Sequence, residues 1–465
     1  MSSRVDVTRR DVVALAWPIV VANAATPLLG IVDTAVIGNS GSVAELGAIA
    51  LGALIFNFVY WSFGFLRMGT TGFTAQASGR EDGAEVRATL ARALLMAGGI
   101  GLGLVLLQEP IAWLSLELLG ATPRVERLTR AYYDLRIWGA PASLGLFAVF
   151  GTFVGLGRTR HLLAVQLILN GLNMLLDVLL AGVLGWGVEG IAVGTAVAEW
   201  TTLFVALGLV TRLLRADADQ EAFIPWSRVL DRHKAAKTLG ANGDIMVRTL
   251  FLLMGFAWFT NQGARFGDEV LAANHVLLQL ISLGAYLLDG YAHATEIHVG
   301  RAVGGGRPLL FERAVRSATE LAAVTALSLG AIILAAGPYA VDVLTDLEAV
   351  RGVARTFLPW TALYVVLSFP AFQLDGIFIG ATATRAMRNA SVASLVVFVG
   401  ASMLLMPRLA NLGLWLSFLL YVVARAVGLG VAYPGLRRDV GRDGAAPRAP
   451  EVAGRDRPDG GIRAG

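Results

Sequence analysis

The chain has 465 residues, 56% hydrophobic and only 15% charged, with a formal net charge of +4 and no cysteine; its mean hydropathy is +0.65. A soluble domain carries about 25% charged residues to solvate its surface, so this composition excludes an ordinary soluble enzyme, and the missing cysteines exclude disulfides and thiolate metal sites. Apolar runs of about 18 residues or more recur from end to end, as spanning helices require, whereas the alternating ten-residue segments of a membrane barrel do not occur.

The first ten residues, MSSRVDVTRR, are polar and basic and lack the cleavage pattern of a signal peptide, so the first apolar segment is expected to be a permanent span. Spans are expected at 11–37, 48–76, 88–108, 129–155, 161–182, 188–213, 236–260, 270–300, 314–336, 353–381, 389–406 and 411–434. Pro18, Pro27, Pro141 and Pro370 fall inside them, where proline removes a backbone hydrogen bond and bends a helix. The expected fold is therefore an all-α membrane protein with twelve transmembrane helices in two pseudo-symmetric six-helix bundles. Its parts are a first lobe (1–213), a cytoplasmic connector (214–235), a second lobe (236–436) and a disordered cytoplasmic tail (437–465) rich in Gly, Pro, Arg and Asp.

Lys and Arg concentrate in alternate segments that include both termini, among them Arg9, Arg10, Arg80, Arg87, Arg158, Arg160, Lys234, Lys237, Arg301 and Arg437. The opposite loops hold few, such as Arg124, Arg127, Arg265 and Arg408. The basic balance thus reports topology rather than a nucleic-acid partner. It places both termini in the cytoplasm, with a multi-pass chain in the inner (plasma) membrane and an even number of spans.

The halves repeat. GTFVGLGRTR (Gly151 to Arg160) matches GIFIGATATR (Gly376 to Arg385), and Leu46 and Leu271 begin comparable helices. Met68-Gly69 and Gly79-Arg80 pair with Asp289-Gly290 and Gly300-Arg301. Repeats of even span number share one orientation and are related by an axis along the membrane normal, with substrate sites near the midplane. Glycines of this kind also let helices pack closely.

A carboxylate at the centre of a span costs roughly 2.5–3.5 kcal/mol on insertion scales and calls for a reason. Asp33 and Asp177 are such residues in the first half. Asn170, Asn173 and Asp177 are spaced three and four apart, so they share one helical face, a poor surface for lipid and a good lining for a polar cavity. Desolvation disfavours the charged form of a carboxyl group in general, which suits such positions to bind and release protons. The second half offers Asp289, Glu296 and Asp375, with His275, His293 and His298 nearby. Asp289, His293 and Glu296 share a face that could relay protons. It could also hold a metal, although no compact ligand set surrounds it. Arg67, Arg136, Arg248 and Arg425 also lie in or near spans, where snorkelling or internal ion pairing is the simplest explanation.

The segments WPIVVANAATPLLGIVDTAVIG, GVEGIAVGTAVAEW, NGDIMVRTLFLL, YLLDGYAHATEIHVGRAVG and LDGIFIGATATRAMRNA together give the chain a resemblance to the multidrug and toxic compound extrusion family, in particular its DinF-like branch. The resemblance covers nearly the whole chain apart from the tail. It implies alternating access and export of small organic, cationic compounds in exchange for H+ or Na+. It also implies an ion or proton site in the first lobe, at Asp33, Asn173, Asp177 and Thr195. Asp375 matches a family aspartate in the tenth helix. The seventh helix carries Arg248 and lacks an internal glutamate, which departs from the sodium-type pattern and favours H+.

The resulting reading is a monomeric multidrug antiporter embedded in the lipid bilayer, with no catalytic residues, resident cofactor, metal or nucleic-acid partner. Asn170, Asp289, Asp375, His293 and Arg248 are its candidate cavity residues. The alternative is a flippase for lipids or lipid-linked saccharides of the same two-lobe architecture, which would need arginines to hold phosphate. A membrane enzyme would need a nucleophile, metal set or phosphate loop, and no convincing one stands in the sequence.

Overall fold

The computed structural model describes residues 7–40, 42–215 and 222–445, and no strand occurs among them. Among the described residues, ten helices are long and apolar enough to span a membrane. The first helix, and a break that divides the last helix in two, bring the spans to twelve. These are α1 (Arg9–Ser40), α2 (Val43–Gly79), α3 (Gly83–Leu106), α4 (Pro123–Gly155), α5 (Thr159–Val183), α6 (Gly187–Arg215), α7 (Arg232–Ala264), α8 (Asp268–Gly304), α9 (Pro308–Leu344) and α10 (Glu348–Gly380). The helix Thr384–Ala445 leaves helical geometry at Ala410 (φ 49°), just after Pro407, and so forms α11 (384–409) and α12 (411–445).

Every span outruns its expected bounds at one end or both, because polar residues continue the helices beyond their apolar stretches. The last is the clearest case. A tail boundary was expected at 436, yet α12 runs on to Ala445; residues 446–465 lie outside the described residues. Pro141 does not kink a continuous helix. It begins the second part of α4 (Ala140–Gly155), where proline's missing amide costs nothing, after the one 3-10 turn Ile137–Gly139 that follows Pro123–Arg136.

Each lobe has its own core. In the second, Phe259, Trp415, Phe418 and Tyr421 are buried in one aromatic cluster. In the first, Phe56 stacks on Tyr133 at 5.3 Å. Large apolar side chains such as Leu106, Trp113, Leu118 and Val343 face outward, as they should where lipid rather than water is the neighbour.

The two lobes superimpose in sequence at one offset of 225 residues. Val43 and Gly79 bound α2 where Asp268 and Gly304 bound α8. The carbonyls of Arg67 and Thr71 lie against Gly151 and Gly155 as those of Ala292 and Glu296 lie against Gly376 and Gly380. Even the left-handed residues pair, Glu81 (φ 59°) with Gly306 (φ 59°), and Gly157 (φ 66°) with Thr382 (φ 55°). The matches expected between Gly69 and Gly290, and Gly79 and Gly300, are therefore one helical turn out of register. Glycines recur on successive turns of both helices, so identity alone cannot choose the turn.

The lobes meet through α1, α2, α7 and α8, and the ends of α2, α4, α8 and α10 cross on the face that carries the start of α1 and the connector. There the amide of Gln76 donates to the Gly380 carbonyl and the Thr382 hydroxyl, both at 3.1 Å, and Arg301 donates to the Leu156 carbonyl at 2.6 Å. A side chain at Gly304 would overlap the Gln76 carbonyl, so the close crossing depends on glycine. The connector is clipped to the same face. Arg228, in the short helix Trp226–Val229, meets both oxygens of Asp82 at 2.8 Å, and Lys234 meets Glu85 at 2.6 Å.

Candidate functional site

Asn170, Asn173 and Asp177 are all buried on one face of α5, while Leu167, Ile168 and Leu175 on the same helix are exposed. Asp177 is fully buried, and neither of its carboxyl oxygens has a hydrogen-bond partner among the described residues. Both side-chain polar atoms of Asn173 are likewise without partners, as is the amide nitrogen of Asn170. Asn170 Oδ1 accepts a hydrogen bond from Gln166 at 3.3 Å. Buried polar groups are nearly always paired, so a cluster of unpaired ones on one helix face is unusual. Asp33 on α1, the helix packed against α5, completes it: one of its carboxyl oxygens is likewise buried without a partner, and its charge lies within electrostatic reach of Asp177 and Arg136.

Local geometry explains how the carboxylate reaches this position. Directly after Asp177, α5 changes to a π-helical turn, Val178–Val183, with the Leu184 amide bonded to the Leu179 carbonyl at 2.9 Å. Such turns concentrate at functional sites because they re-aim side chains. Gly190 and Gly194 on α6 then let the two helices touch. A Cβ on Gly194 would stand 2.9 Å from Asp177 Oδ1, and one on Gly190 would stand 2.8 Å from the Ala181 nitrogen. Thr195 is beside this contact, but its hydroxyl donates to the Ile191 carbonyl of its own helix at 2.8 Å. The structure thus gathers Asp33, Asn170, Asn173 and Asp177, and leaves the Thr195 hydroxyl occupied.

In the second lobe, 225 residues on, Asp33 and Asp177 correspond to Trp258 and Ser402. Their indole N–H and hydroxyl form a hydrogen bond of 3.0 Å. The same helix pair thus carries a facing ionisable pair in one lobe and a fixed neutral bond in the other.

A residue not singled out in the sequence lies close by. Glu199 on α6 forms a two-pronged pair with Arg136 on α4, at 2.6 and 2.8 Å, and both are buried. The guanidinium lies over the rings of Phe56 and Tyr60 at 5.0 and 5.5 Å. Arg136 stands next to the 3-10 turn of α4, so the break directs it inward. The available signal was Glu199 itself, the one carboxylate in the middle of α6, on the face of Thr195 four residues before it.

The second lobe has a different arrangement. Arg248 on α7 and Arg425 on α12 both donate to a single oxygen of Asp375 on α10, Arg425 at 2.5 Å. All three are buried. Arg425 also lies over the Phe372 ring at 5.7 Å, and Arg248 faces the Met68 sulfur of the first lobe at 3.9 Å.

Between the lobes runs a third chain. Arg67 on α2 donates to His293 Nε2 at 2.8 Å, and His293 Nδ1 is 3.0 Å from Glu296. The guanidinium can only donate and the carboxylate can only accept, so Nε2 accepts from Arg67 and Nδ1–H donates to Glu296. Both ring nitrogens are used, so the histidine has none left for a metal. Asp289, one turn away and half-buried, makes no hydrogen bond in this chain.

Comparison with known proteins fits this architecture. The MatE family model matches residues 18–179 and 245–404, one block in each lobe. DNA damage-inducible protein F of Escherichia coli (strain K12) is 35% identical over 421 residues, covering 90% of this chain and 90% of that protein. A probable multidrug resistance protein NorM of Deinococcus radiodurans is 30% identical over 427 residues, 87% of this chain and 90% of its own. An outward-facing structure of a multidrug resistance MATE family transporter of the MOP superfamily aligns with a TM-score of 0.81 at 18% identity, covering 94% of this chain and 96% of that one. At that identity the likeness speaks for the fold. With twelve helices in two related bundles and a family match in each, the chain belongs to the MatE family of multidrug transporters, membrane proteins that carry small organic compounds and are not enzymes.

Proposed function

We propose that this transporter exports organic cations in exchange for protons by alternating access, with Asp33 and Asp177 as the proton-carrying pair. What supports the reading is a pair of carboxyl groups on the packed helices α1 and α5, within electrostatic reach of each other and buried amid polar atoms without hydrogen-bond partners. Asn170 and Asn173 line the same face, and Thr195 contributes only if its hydroxyl leaves the Ile191 carbonyl. With both termini in the cytoplasm of a cell whose inner membrane holds the protein, the crossed face points inward and this conformation is closed on the cytoplasmic side. Protons taken up from outside cancel the negative charge that holds a cation, and cargo leaves. Once the lobes rock to open inward, the protons depart and cargo binds again. The two groups titrate as one system, and neither has a private pKa. A single chain contains the whole site, so a monomer suffices.

Energetics set the stoichiometry. One proton exchanged for one monovalent cation moves no net charge, so only the pH gradient drives it, at about 1.4 kcal/mol per pH unit. Two protons would also draw on the membrane potential, about 2.3 kcal/mol per charge per 100 mV. The test is uptake of a fluorescent organic cation into inverted membrane vesicles, energised by a proton gradient or by a sodium gradient. Proton-driven uptake lost in both Asp33→Asn and Asp177→Asn supports the assignment. Full uptake in either variant, or uptake driven by sodium alone, contradicts it.

A further inference from the structure

We infer that the buried Arg248–Asp375–Arg425 cluster of the second lobe is a binding site for the anionic group of an organic molecule. Two guanidiniums share one carboxylate, and in fact one oxygen of it, Asp375 Oδ2. No other carboxylate pairs with either arginine among the described residues, so the cluster carries one positive charge in excess. The Nε atoms of both arginines are buried without a partner. An uncompensated charge inside a membrane is expensive and marks function by default. Arg136 in the first lobe shows the contrast of a compensated arginine, since Glu199 matches it one to one with two hydrogen bonds.

The second arginine completes a recognition geometry. Guanidinium is the side chain best shaped for carboxylate and phosphate, and Asp375 acts as the internal carboxylate that keeps its place while cargo is absent. The surroundings suit an organic body behind the charged group. Phe372 lies under Arg425, and the buried rings of Tyr364 and Tyr421 lie near it. Arg248 touches Met68 of the opposite lobe, so the cluster borders the seam that opens when the lobes separate. The inference rests on the transporter reading only in taking that seam as the cargo path; it does not depend on protons being the coupling ion.

Excess negative charge in the first lobe and excess positive charge in the second would accept the opposite ends of a zwitterion, or separate cargoes of opposite sign. The shared chemistry is a carboxylate or phosphate on an apolar body, whether a dissolved compound or a lipid headgroup.

The test uses the full chain in phosphatidylcholine nanodiscs, titrated with 1-pyrenebutyrate and, as a matched cation of similar body, (1-pyrenylmethyl)trimethylammonium. Arg248→Gln and Arg425→Gln should each weaken pyrenebutyrate about tenfold relative to the cation, a change of about 1.4 kcal/mol. Asp375→Asn should tighten it, because the arginines lose their internal competitor. A purely structural role predicts the reverse, since leaving two buried cations unpaired would disrupt the lobe. The inference is overturned if pyrenebutyrate affinity is unchanged in both arginine variants, or if Asp375→Asn weakens it; should the arginine variants fail to fold, the aspartate variant decides alone. Adding phosphatidic acid to the nanodiscs, or inorganic phosphate to the solution, identifies the source by whichever displaces the probe. Loss of coupling in Asp33→Asn with pyrenebutyrate binding retained would separate this inference from the antiport assignment.

Discussion

Replacing Gly194 by alanine separates the function of the α5–α6 contact from its contribution to stability. The added methyl would stand 2.9 Å from Asp177 Oδ1 and 3.2 Å from Leu176 Cβ. The nearest atom is thus the end of a side chain, which can rotate away. At Gly190 the nearest atoms are the backbone nitrogen and Cα of Ala181, at 2.8 and 2.9 Å, and nothing there can move without shifting a helix. Overpacking of one methyl costs about 1–3 kcal/mol, while alanine gains about 1 kcal/mol of helix propensity over glycine. Gly194→Ala should therefore come out within about 1 kcal/mol of the parent, and Gly190→Ala should lose up to about 2 kcal/mol. The carboxylate rotated by Gly194→Ala no longer faces Asp33, so proton-driven cation uptake should fall steeply although the protein stays folded. Gly171→Ala, with no atom within 4 Å of its new methyl, is the control. Thermal unfolding and vesicle uptake on the three variants settle the matter. Normal coupling in Gly194→Ala, or a loss that merely tracks its melting temperature as in Gly190→Ala, would refute the reasoning.

Three further outcomes follow from other contacts. Arg136→Gln and Glu199→Gln should each destabilise by about 3–5 kcal/mol, because each strands a buried partner, whereas the double variant should recover most of that loss in thermal unfolding. The connector clip gives a pH dependence. Partial burial opposes the charged form of Asp82, but bonds from the Glu85 amide and from Arg228 outweigh it and hold the carboxyl below its usual range. Its stabilisation is hence complete above the unfolded value of about 3.9 and fades as pH falls through the lower folded value. The stability difference between the parent and Arg228→Gln should be flat from neutral pH to about pH 5 and shrink under stronger acid, within the 0.2–1 kcal/mol usual for exposed pairs. Gly304→Ala should force apart the crossed ends of α2 and α8. Because the chain has no cysteine, spin labels can be attached at Glu81 and Arg307 alone, just past the ends of α2 and α8, and their separation should lengthen in the variant; an unchanged distance would contradict the account of the crossing.

The polar face of α5 was legible in the sequence because its cause is local: three side chains spaced three and four apart on a helix must share a side. The same holds for Asp289, His293 and Glu296, of which the structure links only the last two. What escaped was long-range. Glu199 and Arg136 are 63 positions apart, and no periodicity connects them. The convergence of α7, α10 and α12 on Asp375 is hidden for the same reason, although Arg248, Asp375 and Arg425 each stand out singly as charges within apolar stretches. The repeat was visible, but its register needed backbone crossings, since glycine-rich helices match themselves equally well one turn away. Helix ends were misjudged where polar residues continue a helix past its apolar part, most of all at Arg437 to Ala445.

The most direct measurement is a proton count. Purified protein in weakly buffered solution, just below neutral pH, is mixed with a saturating organic cation while the pH is followed. Binding should release protons from the parent, fewer from either single variant, and none from Asp33→Asn combined with Asp177→Asn. Cation binding without proton release from the parent, or undiminished release from the double variant, would contradict the account.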